Sequence, residues 1–297
     1  MLELSGVLKN KKLIFVTGKG GSGKSSIAAA LAHYVANTTP LRVWLVEIGR
    51  KRDLSFSRLP QILSVPAIGH EPTQIKTSNF QACILDPVRC LSEYVDLKIP
   101  TGGLAGLLLN NRVTASLLEV VPGLPDLVAL GKIHYALTHP KNPLSPDVLI
   151  LDAPATGHAK ALLETPKNFR KITKTGPIYK DAVKMEEFLT NKNDLLSIIT
   201  CLPEEMVLQE THELYQYLEK NFGRPTVLMN RCFPKVDKLA SKNVPEEFSR
   251  LYNYAHSRFE REQAALSEAP FPFQDIPFFF PEPEVPSLYL RIAEQIL

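Results

Sequence analysis

Gly18-Lys19-Gly20-Gly21-Ser22-Gly23-Lys24-Ser25 is the stretch whose reading decides the fold. Its spacing, G-x-x-x-x-G-K-[ST], cradles phosphates when a strand leads in and a helix leads out. Both flanks are present. Lys12 to Thr17 is short, apolar and biased to β-branched residues, which predicts a buried strand. Ser25 to Ala36 is alanine-rich with Ile27, Leu31 and Val35 on one stripe, which predicts a helix. Gly18, Gly20, Gly21 and Gly23 let the backbone wrap phosphate closely with its N–H groups inward, and the helix start adds a positive dipole end. Lys24 is expected on the β/γ-phosphates and Ser25 on Mg²⁺, with Ser22 and Ser26 among the loop's contacts. ATP and Mg²⁺ are the cofactors this reading implies; a chance glycine-rich turn is the alternative.

Outward from the loop, Arg42 to Ile48 reads as a second strand ending at Gly49, so the first fifty residues form the crossover unit of a parallel sheet. Further strands are expected at Asp147 to Leu151, Leu196 to Leu202 and Pro225 to Asn230, with an extended piece at Gln274 to Phe280. Pro203 suits the first turn of a helix running to Asn221, with Glu204 and Glu205 well placed for its dipole. A last helix is expected from Ser287. The fold class is α/β, a doubly wound, mostly parallel sheet of the P-loop NTPase type. Residues 91–137 and 159–190 are helical in character and longer than connections require. The chain, residues 1–297, therefore reads as one domain with two helical insertions.

With 34 basic and 31 acidic residues the net charge is only +3, which gives no electrostatic case for nucleic acid or an anionic membrane. No apolar run reaches the ~18 residues needed to span a bilayer, so no stable membrane insertion is expected. The N-terminus does not read as a signal peptide, and a cytoplasmic protein is expected. Cys83, Cys90, Cys201 and Cys232 form no C-x-x-C pair and read as buried small hydrophobes, with redox sensing or soft-metal binding as alternatives.

Val148-Leu149-Ile150-Leu151-Asp152 is a Walker B pattern: an apolar strand delivering a carboxylate at its C-terminal edge. Asp152 is expected to hold Mg²⁺ through water. In the continuation Ala153-Pro154-Ala155-Thr156-Gly157-His158, the Gly157 N–H is a candidate γ-phosphate sensor and His158 a candidate switch residue, with a polar residue at a helix start as the alternative for His158.

Lys-Gly-Gly-Ser-Gly-Lys-Ser together with Asp-Ala-Pro-Ala-Thr-Gly-His resembles the ArsA/Get3 family of arsenite-efflux and tail-anchored-protein-targeting ATPases, and within it the bacterial ArsA-like branch. Leu85-Asp86-Pro87, Pro122-Gly123-Leu124, Leu130-Gly131-Lys132, Phe169-Arg170-Lys171-Ile172 and Leu202-Pro203-Glu204-Glu205 extend the likeness over nearly the whole chain. The resemblance implies a deviant Walker A loop in which Lys19 reaches the nucleotide of a partner subunit; a solvated loop lysine is the alternative. It also implies that Asn230, in Met229-Asn230-Arg231, recognises adenine and that Pro277, in Ile276-Pro277-Phe278, closes over the base. Lys19, Lys24 and Asp152 are thus the candidate catalytic residues. A homodimer, or a heterodimer with a paralogous ATPase, is the implied assembly, with a protein client as partner.

The sequence departs from the family at switch I, where Gly49 takes the place of the aspartate that positions the attacking water. Glu47 and Asp53 are nearby but out of register with it. The zinc-clamping C-x-x-C and any arsenite-binding cysteine trio are absent, which disfavours an arsenite pump subunit. A positioning ATPase of the ParA/MinD type is disfavoured by the charge balance and by a C-terminal helix with Arg291 alone as its basic residue. That helix is expected to pack on the core through Leu288, Ile292 and Ile296. Arg50-Lys51-Arg52 and the Lys167, Lys171, Lys174 stripe read as solvated faces.

Overall fold

The structure, a computed structural model, describes residues 11–49, 57–75, 79–98, 116, 118–139, 145–235, 245–280 and 288–296. Among the described residues eight strands join one sheet. These are β1 (Leu13–Gly18), β2 (Val43–Ile48), β3 (Thr73–Gln74), β4 (Gln81–Leu85), β5 (Val148–Asp152), β6 (Leu195–Cys201), β7 (Thr226–Cys232) and β8 (Phe273–Pro277). Their order is β3-β4-β2-β5-β1-β6-β7-β8, and every neighbouring pair is parallel except the short edge pair β3–β4. Strands β2 to β5 all lie on one side of β1 and β6 to β8 on the other. The C-terminal end of β1 therefore lies at the switch point, where ligands of such sheets bind.

All six residues of β1 are buried, because a central parallel strand is covered on both faces. Leu13 and Phe15 face one layer and Ile14 and Val16 the other. The Ile14 layer is built by α1 (Lys24–Thr38), the short α2 (Leu59–Ile62) and α9 (Leu288–Ile296). Ala28, Ala29, Ala30 and Ala32 of α1 are fully buried, so small side chains let this helix lie close against its neighbours. The Leu13 layer holds α3 (Pro87–Lys98), α4 (Leu124–Thr138), α5 (Thr156–Thr173), α6 (Gly176–Thr190) and α7 (Glu205–Asn221). Residues 159–190 thus form α5 and α6 of this layer, while residues 99–115 lie outside the described residues.

The structure departs from the sequence reading in four places. Gln81–Leu85 is a strand the reading did not place, pairing with β2 in register from Trp44↔Gln81 to Ile48↔Leu85. A long helix, α8 (Glu246–Ser267), has no counterpart there. Helix α7 begins at Glu205 with Glu204 as N-cap, so Pro203 precedes the helix rather than occupying its first turn. In α9, Leu288 is 47% exposed and the helix docks through Tyr289, Ile292 and Ala293 instead. Tyr289 meets His33 of α1 edge to face at 5.9 Å.

Candidate nucleotide site

The loop after β1 is shaped by two close approaches. Gly18 has φ +144°, and a Cβ there would lie 2.1 Å from the carbonyl oxygen of Thr200 on β6, so only glycine fits. Ser22 Oγ then lies 2.6 Å from Thr200 Oγ1 and donates to the Lys19 carbonyl oxygen at 2.8 Å. Gly23, at φ +94°, caps α1, and a Cβ on it would come within 2.3 Å of Asn230 Nδ2. That amide donates to the Ser22 carbonyl oxygen at 2.8 Å, while Asn230 Oδ1 accepts from the Arg231 N–H at 3.0 Å. Asn230 reaches the loop from an irregular stretch of β7 whose next residue, Arg231, has φ +61°. Such a bulge re-aims a strand side chain. The loop is thus pinned by β6 and β7.

Beside the loop opens a cleft of about 480 Å³. Gly20, Lys24 and Ser25 line it from the loop and helix, Glu47, Ile48 and Gly49 from β2's end, and Asp152 to Ala155 from β5's end. Pro87, Pro125, Asp126 and His158, at the starts of α3, α4 and α5, complete the wall. Lys24 Nζ donates to the Lys19 carbonyl oxygen at 3.2 Å, so its ammonium already lies over the loop. A backbone cradle at a helix N-terminus with a lysine suits a polyphosphate. Ser25, Asp152 and Glu47 offer only oxygen donors, the set a hard cation such as Mg²⁺ prefers. Gly49 is buried and its N–H bonds the Leu85 carbonyl oxygen at 2.8 Å. The position therefore does reach the cleft, and it brings no side chain there.

Of the residues singled out from sequence, Gly20, Lys24, Ser25, Glu47, Gly49, Asp152 and His158 share this cleft. Gly157 sits in the first turn of α5, exposed, one residue from the lining His158. Ser26 is half-buried in the first turn of α1. Pro277 lies away from the phosphate end, in a second cleft of about 540 Å³ with Cys232, Phe233 and Asp275. It pairs with Cys232, two residues beyond Asn230. Lys19 turns toward α7, where its Nζ lies 3.0 Å from Glu210. Arg50-Lys51-Arg52 and Asp53 lie outside the described residues.

Sequence reading missed three contributors: Thr200, Glu210 and Asp126. Only Asp126 carried a signal, as the acidic residue in the first turn of a helix opened by Gly-Leu-Pro. It also missed the brace behind the wall. Buried His70 accepts the Asp86 N–H on Nδ1 at 2.9 Å, and its Nε2 lies 2.9 Å from Glu93 and 2.8 Å from Lys132. Lys132 also bonds both Glu93 oxygens. This cluster ties the start of α3 to α4. All four cysteines are buried, and burial pushes the thiols up, Cys83 and Cys232 to about 12 and Cys201 to about 11, a poor starting point for soft-metal binding. No described helix is long and apolar enough to cross a membrane.

Residues 11–180 match the family model described as anion-transporting ATPase. Similar proteins include ATPase BagA of Mycobacterium tuberculosis, 29% identical over 239 residues that cover 78% of this chain and 67% of that protein. ATPase ASNA1 homolog 1 of Paramecium tetraurelia is 28% identical over 298 residues, covering 84% of each chain. ATPase ASNA1 homolog of Entamoeba dispar is 23% identical over 266 residues, covering 76% of this chain and 78% of that protein.

Proposed function

The chain belongs to the anion-transporting ATPase family, and from that premise we propose that it is a dimeric, ATP-driven switch whose nucleotide state controls binding of a protein partner. The observation that carries this reading is the shared cleft of Gly20, Lys24, Ser25 and Asp152 at the switch point of the sheet. In this proposal the loop N–H groups and Lys24 hold the β- and γ-phosphates. Ser25 and Asp152 hold Mg²⁺, which neutralises charge developing on the transferred phosphoryl group. The base lies toward Asn230 and Pro277, on the β7–β8 side of the loop. Asn230 then has two tasks, since one amide hydrogen already supports Ser22.

Lys19 completes the site of a second subunit. To do so it exchanges Glu210 for phosphate, a trade between two charged partners that nucleotide binding can drive. Gly157 and His158, at the start of α5, sense the γ-phosphate. The starts of α3 and α4 at the cleft wall connect it to the helical layer, which is the surface we assign to the partner. The whole chain acts as one unit in this reading, because all the described strands belong to one sheet. A weakly catalytic subunit of a heterodimer is the second reading, favoured by one observation: Gly49 reaches the cleft without a carboxylate.

Turnover and analogue binding of the purified chain, with Lys24→Ala and Gly49→Asp, test this. Lys24→Ala is expected to lose ATP-analogue binding. Turnover absent from wild type and gained in Gly49→Asp selects the heterodimer reading. An analogue that binds yet leaves the chain monomeric removes the role of Lys19 in a homodimer.

A further inference from the structure

Two adjacent strands carry carboxylates at the same level near their C-terminal ends. Glu47 of β2 is the register partner of Asp152 of β5. In β2, Val43 and Leu45 point into the layer of α1, and in β5 Ile150 does the same. Alternation along a strand therefore puts Glu47 and Asp152 on that face as well, about 5 Å apart across the strands. It is the face on which the N-terminus of α1 presents Lys24 and Ser25. Glu47 is half-buried, and Ser57 Oγ donates to its Oε2. Three carboxylates, Glu47, Asp126 and Asp152, line one cleft with Lys24 and His158. Around a triphosphate, like charges packed this closely are unfavourable unless a divalent cation lies among them.

We propose that Glu47 is a second carboxylate of the Mg²⁺ site, acting with Ser25 and Asp152. The inference rests on the nucleotide-site reading and adds a residue to it. Glu47 does not take over the task left open at Gly49. The two positions share a strand face but lie about 7 Å apart along it, and glutamate exceeds aspartate by one methylene, far too little to span that. Glu47 thus lines the cleft with Ser25 and Asp152, where it holds the cation. The chain holds Mg·ATP with two protein carboxylates while its water-positioning group is missing, a combination suited to long nucleotide residence.

The test is cation affinity. Mn²⁺ uptake by the full chain loaded with a non-hydrolysable ATP analogue is followed by the EPR signal of free Mn²⁺, for wild type, Glu47→Gln, Glu47→Asp and Asp152→Asn. Analogue binding in EDTA is measured beside it. Glu47→Gln is expected to weaken Mn²⁺ about tenfold or more, with analogue binding in EDTA retained. Glu47→Asp is expected to fall between Gln and wild type. Mn²⁺ affinity within about twofold of wild type in Glu47→Gln, with Asp152→Asn weakened, overturns the inference and leaves the nucleotide reading standing. Loss of analogue binding in EDTA by Glu47→Gln also overturns it, since Glu47 would then be holding the fold. A wild-type chain that takes up no analogue overturns the nucleotide reading and this inference with it.

Discussion

The two faces of the sheet are held by different forces. On the face of α1 and α9 the contacts are small and apolar: four fully buried alanines, Ile27 and Leu31, with Tyr289 and Ile292 from the last helix. The opposite face has a large apolar core too, but its helices are tied by charges. Tyr94 and Lys98 of α3 reach Asp181 of α6, Arg170 of α5 reaches Glu186 of α6, Tyr217 of α7 reaches Glu164 of α5, and the His70–Glu93–Lys132 cluster joins α3 to α4. Dispersion contacts between close-packed small residues have one good geometry. Ion pairs at a half-wet surface can be exchanged at little cost. The first face therefore holds α1 in one position against the sheet, and the second is the one the proposed switch would rearrange.

The largest effect expected from this contrast is on the α1 face. Leu31→Ala removes a fully buried side chain between α1 and the sheet, and is expected to destabilise by about 2–5 kcal/mol in urea denaturation, equally from pH 5 to 8. A loss below about 1 kcal/mol would mean that this face relaxes easily and the contrast is wrong. On the other face, Glu93→Gln is expected to cost only about 1 kcal/mol at pH 7, because the carboxylate is 44% exposed. Burial pushes the Glu93 carboxyl up, but hydrogen bonds from His70 and Lys132 outweigh it, so the folded-state value lies below the usual range. Its contribution is present above the unfolded value, near 4.5, and is lost as pH falls through the folded one. The gap between wild type and variant should close on acidification; a gap that widens breaks the argument. The smallest effect belongs to Glu210→Gln. An exposed pair contributes about 0–1 kcal/mol, so the variant should unfold like wild type within about 0.5 kcal/mol. Analogue-driven self-association, measured by sedimentation, should strengthen by no more than about fivefold. No change at all would detach Glu210 from the motion of Lys19.

The same contrast explains what was legible in the sequence. The phosphate loop could be read because steric rules fix its residues: Gly18 against Thr200 and Gly23 against Asn230 admit nothing larger. The central strands could be read as unbroken apolar runs. Strand β4 was not, because Gln81-Ala82-Cys83-Ile84-Leu85 is short, carries a single β-branched residue, and owes its place to β2 rather than to propensity. Helix α8 was passed over although its residues are amphipathically spaced; in the fold Phe248, Leu251 and Tyr254 are exposed and its one buried residue is Glu262. Glu262 accepts from the Phe233 N–H and from Arg258, a polar attachment that hydrophobic periodicity does not register. In the site, Asp152 announced itself through its strand. Glu47 was read only as a carboxylate out of register with Gly49, because lying level with Asp152 depends on register between strands about a hundred residues apart, a tertiary fact.

The strand order also sets a timetable. β1 emerges from the ribosome before its neighbours in the sheet, β5 and β6, and Leu13 meets Leu195 only after about 180 more residues have been made. At roughly 5–20 residues per second that is a wait of about 10–35 seconds for a strand with no solvent-facing side. Thr200 and Asn230, which brace the loop, come later still. The nascent chain consequently carries its most sequence-evident motif long before that motif can hold a ligand. Chaperone occupancy should be greatest over this interval, and nucleotide should rescue the chain only once β7 has been made.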